Sequence, residues 1–259
     1  MRQRETFDRV ADLYGEVRRG YSDSLIEDAA AYAGLKDGDA ILDVGCGAGQ
    51  ATESFAGRGF RVVALDPGGE LIRVARERLS GVAGVSFVVS QFETWDAPAA
   101  AFKLVISAQA WHWIPPAQSF PKAAHVLMPQ GVLAVFGHVP MRPPEPLSAD
   151  FERIHRMHIG QWPPPPEGAY LPDGPFAAMF AASGLFAPVV HKSYAWTWPI
   201  TSETFVRYML TRSDTRQLPE GVRDMLLADL KTAIDSHGGL FHWPFETHLY
   251  MARRDLERT

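Results

Sequence analysis

Four residues set the first chemical question. Asp43, Gly45, Gly47 and Gly49 stand at alternate positions in residues 40–50 (AILDVGCGAGQ), where an apolar run of Ile41, Leu42 and Val44 gives way to glycine. Glycine accepts positive φ and lets a ligand approach bare backbone, so the stretch reads as a buried strand, a tight turn and a helix start around a nucleotide-type ligand. A second carboxylate, Asp66, lies 23 positions beyond Asp43, followed by Pro67. In an open parallel sheet that position can accept both hydroxyls of a ribose. Gln91, Phe92 and Glu93 follow a third apolar run; Phe92 is expected to lie against a base, with a polar neighbour reading its edge. Ala108 and the stretch Trp111, His112, Trp113 follow a fourth. His112 is the first candidate for a general base, and its competing reading is a structural histidine bonded to backbone. One flanking tryptophan is expected to pack into the sheet and the other to line a pocket. His138 is a second candidate base.

These residues need elements to hold them. Residues 6–34 read as two helical pieces, with Leu25, Ile26, Ala29, Ala30 and Ala33 on one stripe. Between the pieces, residues 14–21 (YGEVRRGY) read by themselves as a polar surface connector. Strands are expected near 41–44, 60–65, 85–89, 102–107 and 131–136, alternating with helices at 50–58, 71–79 and 120–127. That alternation predicts right-handed βαβ units and a doubly wound α/β fold with a mostly parallel sheet. Regularity stops near His138. Residues 139–175 hold half of the prolines, including the run 163–166, and are expected to form an irregular, partly ordered lid. A helix at 176–182, a strand at 189–198, helices near 202–212 and 220–236 and a last strand near 242–252 complete a seven-stranded sheet with a small cap. The expected division is a cofactor-binding core at 1–138, a lid or cap at 139–200 and a C-terminal completion at 201–259.

Composition narrows the classes. The 259 residues carry a net charge of −5, with no basic excess to draw nucleic acid or an anionic membrane. The single cysteine, Cys46, excludes an intrachain disulfide and a multi-cysteine metal site. No apolar stretch has the length of a membrane span, and no apolar signal core follows the first charged residues, so a cytoplasmic protein is expected. His155 and His158 lack a partner set that would make a metal site, so no metal is expected. Arg207 and Arg212 could clamp an acidic substrate, although a solvated helix face is the simpler reading. Cys46 in the glycine turn reads as a small buried side chain.

The turn itself discriminates between cofactors. A nicotinamide dinucleotide prefers G-x-G-x-x-G, whereas here the third glycine comes one residue early and Gln50 takes its place. Asp43 would repel a pyrophosphate and attract a cofactor that carries an ammonium and a sulfonium. That description fits S-adenosylmethionine (SAM). The chain accordingly resembles the class I SAM-dependent methyltransferases, with a Rossmann-like methyltransferase fold. D-x-G-x-G-x-G is matched at 43–49, the second motif at 64–71 (ALDPGGEL) and the adenine motif at 90–95 (SQFETW), with Gln91 where the family more often has Asp. The fourth and fifth strands match at 104–114 and 127–136. It is further similar to a small-molecule subgroup containing the trans-aconitate methyltransferases, through QAWHW, the Arg18–Tyr21 segment R-x-G-Y and the tail FETHLYMARR.

The resemblance implies that Arg18 reaches the carboxylate of SAM, that Tyr21, Trp111, Trp113 and His138 face the acceptor, and that the product is S-adenosylhomocysteine (SAH). The implied activity is methylation of a small molecule on a carboxylate or hydroxyl oxygen, by a monomer or homodimer. The alternatives are carbon methylation of a quinone- or sterol-like acceptor, a SAM-binding regulatory protein without turnover, and a nicotinamide oxidoreductase.

Overall fold

The computed structural model describes residues 8–162 and 166–255. The prolines at 163–165 and the helical expectation for residues 6 and 7 lie outside the described residues. Before the sheet come α1 (Ala11–Val17) and α2 (Asp23–Ala33). Ser22 caps α2 by accepting from the Leu25 N–H at 3.3 Å, and Gly34 ends it at φ 62°. The buried face of α2 is Leu25, Ile26, Ala29 and Ala33, the expected stripe without Ala30.

The strands are β1 (Ala40–Val44), β2 (Arg61–Asp66), β3 (Val85–Val89), β4 (Phe102–Ala108), β5 (Leu127–Pro140), β6 (Val190–Thr201) and β7 (Leu240–Arg253). They form one seven-stranded sheet in the order β3-β2-β1-β4-β5-β7-β6. The first five pair in parallel, while β7 runs antiparallel to both β5 and β6. Chain order reverses between β1 and β4. That switch point opens a crevice beyond the strand ends, and α3 (Gln50–Ala56), α4 (Gly69–Arg78) and α5 (Pro116–Val126) cover the two faces. Ile41, Leu42, Leu104, Val105, Val132 and Leu133 are wholly buried, as a sheet sandwiched between helices requires.

The segment beyond His138 is more regular than its proline content predicts. β5 extends to Pro140, and α6 (Leu147–Ile159) follows, with Leu147, Phe151 and Ile154 inward at helical spacing. A 3-10 turn (Pro166–Tyr170) and α7 (Phe176–Ser183) lead into β6, an edge strand of the sheet opposite β3. The remaining helices are α8 (Ser202–Met209), α9 (Ser213–Gln217) and α10 (Glu220–Ser236). α6, α8 and α10 share an apolar cluster with the ends of β6 and β7, built around Phe151, Trp198, Phe205, Leu230 and Trp243. Among the described residues no helix is long and apolar enough to cross a membrane.

Candidate functional site

The turn after β1 is held from below. The Asp43 carboxylate is wholly buried, and its Oδ2 accepts from the Thr52 hydroxyl of α3 at 2.7 Å. Its Oδ1 has no hydrogen-bond donor. Burial drives its pKa up to about 7, partly offset by the Thr52 hydrogen bond, with the negative charge of Asp66 adding to the rise. Asp43 therefore ties the turn to the following helix and lines neither of the two cavities described next. The expectation that it faces a cofactor directly is corrected: the strand-end acid points under the loop because its neighbours Leu42 and Val44 belong to the opposite face of the pleat. Gly45 stands at φ 72°, and a Cβ there would come within 2.4 Å of Ala110 Cβ. Gly49 begins α3 at φ 86°, against Leu79 and Ala75 of the neighbouring α4 region. Cys46 is buried in the turn, and burial pushes its thiol pKa well up, which keeps it an unreactive thiol.

Two cavities meet above this turn, of about 690 and 530 Å³. Tyr14, Gly45, Gly47, Ala108 and Gln109 line both, so they form one cleft. The first holds Asp66, Pro67, Gln91, Phe92 and Glu93. Asp66 Oδ2 accepts from the Gly47 N–H at 3.0 Å and Oδ1 from the Gly68 N–H at 2.8 Å. Burial nevertheless raises its pKa to about 6, those two hydrogen bonds holding it lower than burial alone would. Phe92 lines the cavity while its ring packs on Trp111, centroids 6.1 Å apart.

The second cavity holds Arg18, Tyr21, Gln50 and His138, with an aromatic wall of Trp196, Trp198 and Phe245. The Arg18 guanidinium donates through Nε to Thr211 Oγ1 at 3.0 Å and through Nη2 to the Thr211 carbonyl at 3.2 Å. It stacks between Tyr14 and Tyr208, 5.0 and 4.6 Å from their centroids. Arg19, in contrast, is exposed and lies over Trp198. Gln50 Nε2, on the first turn of α3, is buried without an acceptor.

Both ring nitrogens of His138 are committed. Nε2–H donates to the Gly20 carbonyl at 3.2 Å, so Nδ1 accepts from the Thr247 hydroxyl at 2.7 Å. Trp196 Nε1–H donates in turn to Thr247 Oγ1 at 2.9 Å, and Tyr21 stacks on the ring at 4.5 Å. Burial lowers its pKa to about 4. His138 shapes the cavity wall and has no open nitrogen to act as a base, which corrects that expectation.

A third cavity, of about 370 Å³, adjoins the cleft through Tyr14, Arg18 and Gln109 and is lined by His112, Trp113, Glu167 and Ser213. His112 Nδ1 is 3.2 Å from Tyr170 Oη. Desolvation of the ring lowers its pKa, while the residue as a whole keeps an edge exposed to solvent. A 3-10 turn (Trp111–Trp113) sends Trp111 and Trp113 apart, which corrects the expectation that both face the acceptor. Trp111 is 1% exposed and packs edge-on against Phe120, so it belongs to the core and cannot touch a substrate. Trp113 faces the cavities.

Arg207 pairs with Glu16 at the surface. Arg212 does not lie on a solvated face: it is 5% exposed and holds both Glu167 and Asp214. His155 Nδ1–H donates to the Phe151 carbonyl, and His158 pairs with Asp229. Reading by motif missed Tyr14, Gln109 and Glu167. Gln109 sits at φ 60°, a strained position for a residue with a side chain, and its Nε2 donates to the His138 carbonyl at 3.2 Å. Only its position just past β4 could have flagged it.

Comparison with known proteins finds a matching domain and related chains. A model described as "Methyltransferase domain" matches residues 41–131, from β1 to the first part of β5. Residues 41–131 carry a methyltransferase domain, and the chain is similar to the class I SAM-dependent methyltransferases. An uncharacterized methyltransferase of Mycobacterium bovis is 37% identical over 95 residues, 37% of this chain and 38% of that protein. A trans-aconitate 2-methyltransferase of Azoarcus sp. is 32% identical over 138 residues, 52% of this chain and 51% of that one. The chain thus spans about half or less of the length of these curated relatives. A solved structure from Anaeromyxobacter dehalogenans, assigned to the type II methyltransferases, aligns with a TM-score of 0.65 at 23% identity, covering 91% of this chain and 97% of that one. This likeness shows the methyltransferase fold. The cleft also fits SAM on its own terms. It offers a carboxylate at one end, a guanidinium at the other and a bare glycine floor, and it leaves Gln50 Nε2 buried and unpartnered between them.

Proposed function

We propose that this methyltransferase binds SAM in the joined cleft and methylates an oxygen, of a carboxylate or a hydroxyl, on a small molecule held in the third cavity. The observation that carries the reading is the polarity of the cleft. Asp66 stands at one end and Arg18 at the other, with Gly45 and Gly47 shared between them. A nucleoside with ribose hydroxyls matches the first end, and an amino-acid carboxylate matches the second. Asp66 would take the ribose, with Gln91, Phe92 and Glu93 around the base and Arg18 on the carboxylate. When bound, SAM supplies an electrophilic methyl group on a sulfonium.

The residues around the third cavity then have little chemistry to perform beyond alignment and exclusion of water. Alignment is worth on the order of 7–11 kcal/mol in favourable cases. A carboxylate acceptor needs no base. For a hydroxyl, the tautomer of His112 that donates Nδ1–H to Tyr170 Oη leaves Nε2 free to take the proton. The trans-aconitate relative supports a small-molecule acceptor without naming this one.

Calorimetry with SAH tests the cleft. Wild type should bind, and Arg18→Ala should bind about 10–100-fold more weakly, the value of a hydrogen bond between charged groups. Unchanged affinity in Arg18→Ala removes the arginine from its role. Transfer of labelled methyl from SAM into a small-molecule extract tests turnover; tight SAH binding without incorporation would make the protein a binder instead.

A further inference from the structure

The third cavity carries an uneven set of charges. Glu167 comes from the 3-10 turn at Pro166–Tyr170 and is 8% exposed. Its Oε1 accepts from Arg212 Nη1 at 3.2 Å, and its Oε2 is buried with no hydrogen-bond donor, although Arg212 Nη2 lies 3.2 Å away. Arg212 faces a different cavity, and its charge is shared with Asp214 at 3.1 Å. It therefore has no free fork with which to grip an incoming carboxylate. The other guanidinium on this wall, Arg18, is held by Thr211 and given over to the SAM carboxylate in the reading above. The remaining lining is aromatic or neutral: Tyr14, Trp113, His112, Gln109 and Ser213.

We propose that, of the two acceptor classes above, this cavity selects the hydroxyl, on a neutral molecule with a flat apolar body, and rejects carboxylates, because the charge it presents to an acceptor is the Glu167 carboxylate. The inference rests on the cleft being the SAM site, since that occupant neutralises Arg18. An anionic acceptor meets a buried like charge at short range and finds no unspent cation. A neutral hydroxyl carries no charge for Glu167 to repel, and a ring meets Trp113 and Tyr14. This separates the protein from a methyltransferase for di- or tricarboxylic acids, whose site needs uncommitted arginines.

The test is a binding panel on the full chain saturated with SAH, read by calorimetry or ligand-detected NMR. Benzyl alcohol and catechol serve as neutral probes, benzoate and trans-aconitate as anions, and benzylamine as a cation. The neutral probes should bind at millimolar concentration and the anions at least about tenfold more weakly. In Glu167→Gln the benzoate penalty should shrink by at least about fivefold, the effect of deleting one close charge at a partly wet site. A cooperative thermal unfolding transition of the SAH-saturated variant reports that it is folded. Tighter binding of benzoate, trans-aconitate or benzylamine than of benzyl alcohol to the wild type overturns the proposal, as does no binding of either neutral probe. Failure of SAH itself to bind overturns the cofactor reading and this inference with it; SAH binding with anions preferred overturns the inference alone.

Discussion

Two aspartates one strand apart share a residue type and differ in task. Asp66 meets the cleft, whereas Asp43 is locked beneath the glycine turn with one oxygen unpartnered. The motif revealed that both carboxylates matter, because strand-end acids beside glycines are legible as a pattern. It did not reveal which one faces the ligand, since that depends on the pleat and on a hydroxyl, Thr52, nine residues away. The burial of Asp43 has a consequence in pH. Its folded pKa of about 7 lies above the ordinary 3.8, so the native state holds a proton that the unfolded chain has released across that window. The charged form is the costly one, and its contribution lowers stability progressively as pH rises from about 4 to about 7, then levels off. Asp43→Asn removes this dependence. Relative to wild type, the variant should gain about 2–3 kcal/mol of stability between pH 5 and pH 8, the part of a shift of roughly three pK units that lies above pH 5. Urea titrations of both proteins at the two pH values measure it, and a difference that shrinks with rising pH would contradict the burial argument.

At the scale of elements, strands and crossover helices were readable because each carries one period and ends at glycine, proline or a polar cluster. The five parallel strands fall close to their expected spans, β5 being the exception. α6 was obscured by the surrounding prolines, although Leu147, Phe151 and Ile154 kept helical spacing. The 3-10 turn Trp111–Trp113 shows why one short element matters. Its tight winding sends Trp111 into the core between Phe92 and Phe120 and leaves Trp113 and His112 on the cavity side. Trp111→Ala should therefore cost about 3–5 kcal/mol of folding stability, the loss expected for a fully buried large aromatic side chain. Trp113→Ala should cost well under half of that while weakening occupancy of the third cavity. Chemical denaturation of the two variants separates them, and equal losses would mean that the turn does not partition its side chains this way.

Across the whole molecule, the part least legible in the sequence is the roof of the site. Arg18 precedes the sheet, Gln109 follows β4, Glu167 lies beyond the lid prolines and Thr211 and Arg212 come after β6; no local pattern links positions so far apart. The buried ion cluster is the joint between these segments. Arg212 holds Glu167 on the 3-10 turn at Pro166–Tyr170 and Asp214 on α9. Burial alone would raise the pKa of Asp214, but the Arg212 charge and its hydrogen bonds outweigh that and hold the carboxyl below its usual range. The contribution of Asp214 is thus fully present above the ordinary carboxylate pKa and is lost as pH falls below it. Removing the arginine leaves two carboxylates without their cation. Arg212→Met should cost about 3–5 kcal/mol, roughly 6–20 °C in Tm for a chain of this size. Charge, rather than shape, is the cause argued for, and a compensated variant distinguishes the two. Combining Arg212→Met with Glu167→Gln and Asp214→Asn removes the uncompensated charges while keeping similar volumes, so the triple variant should recover at least half of the lost Tm. Calorimetric scans of both proteins decide it: no recovery would show that the arginine acts by filling space, and the roof would then be held by packing alone.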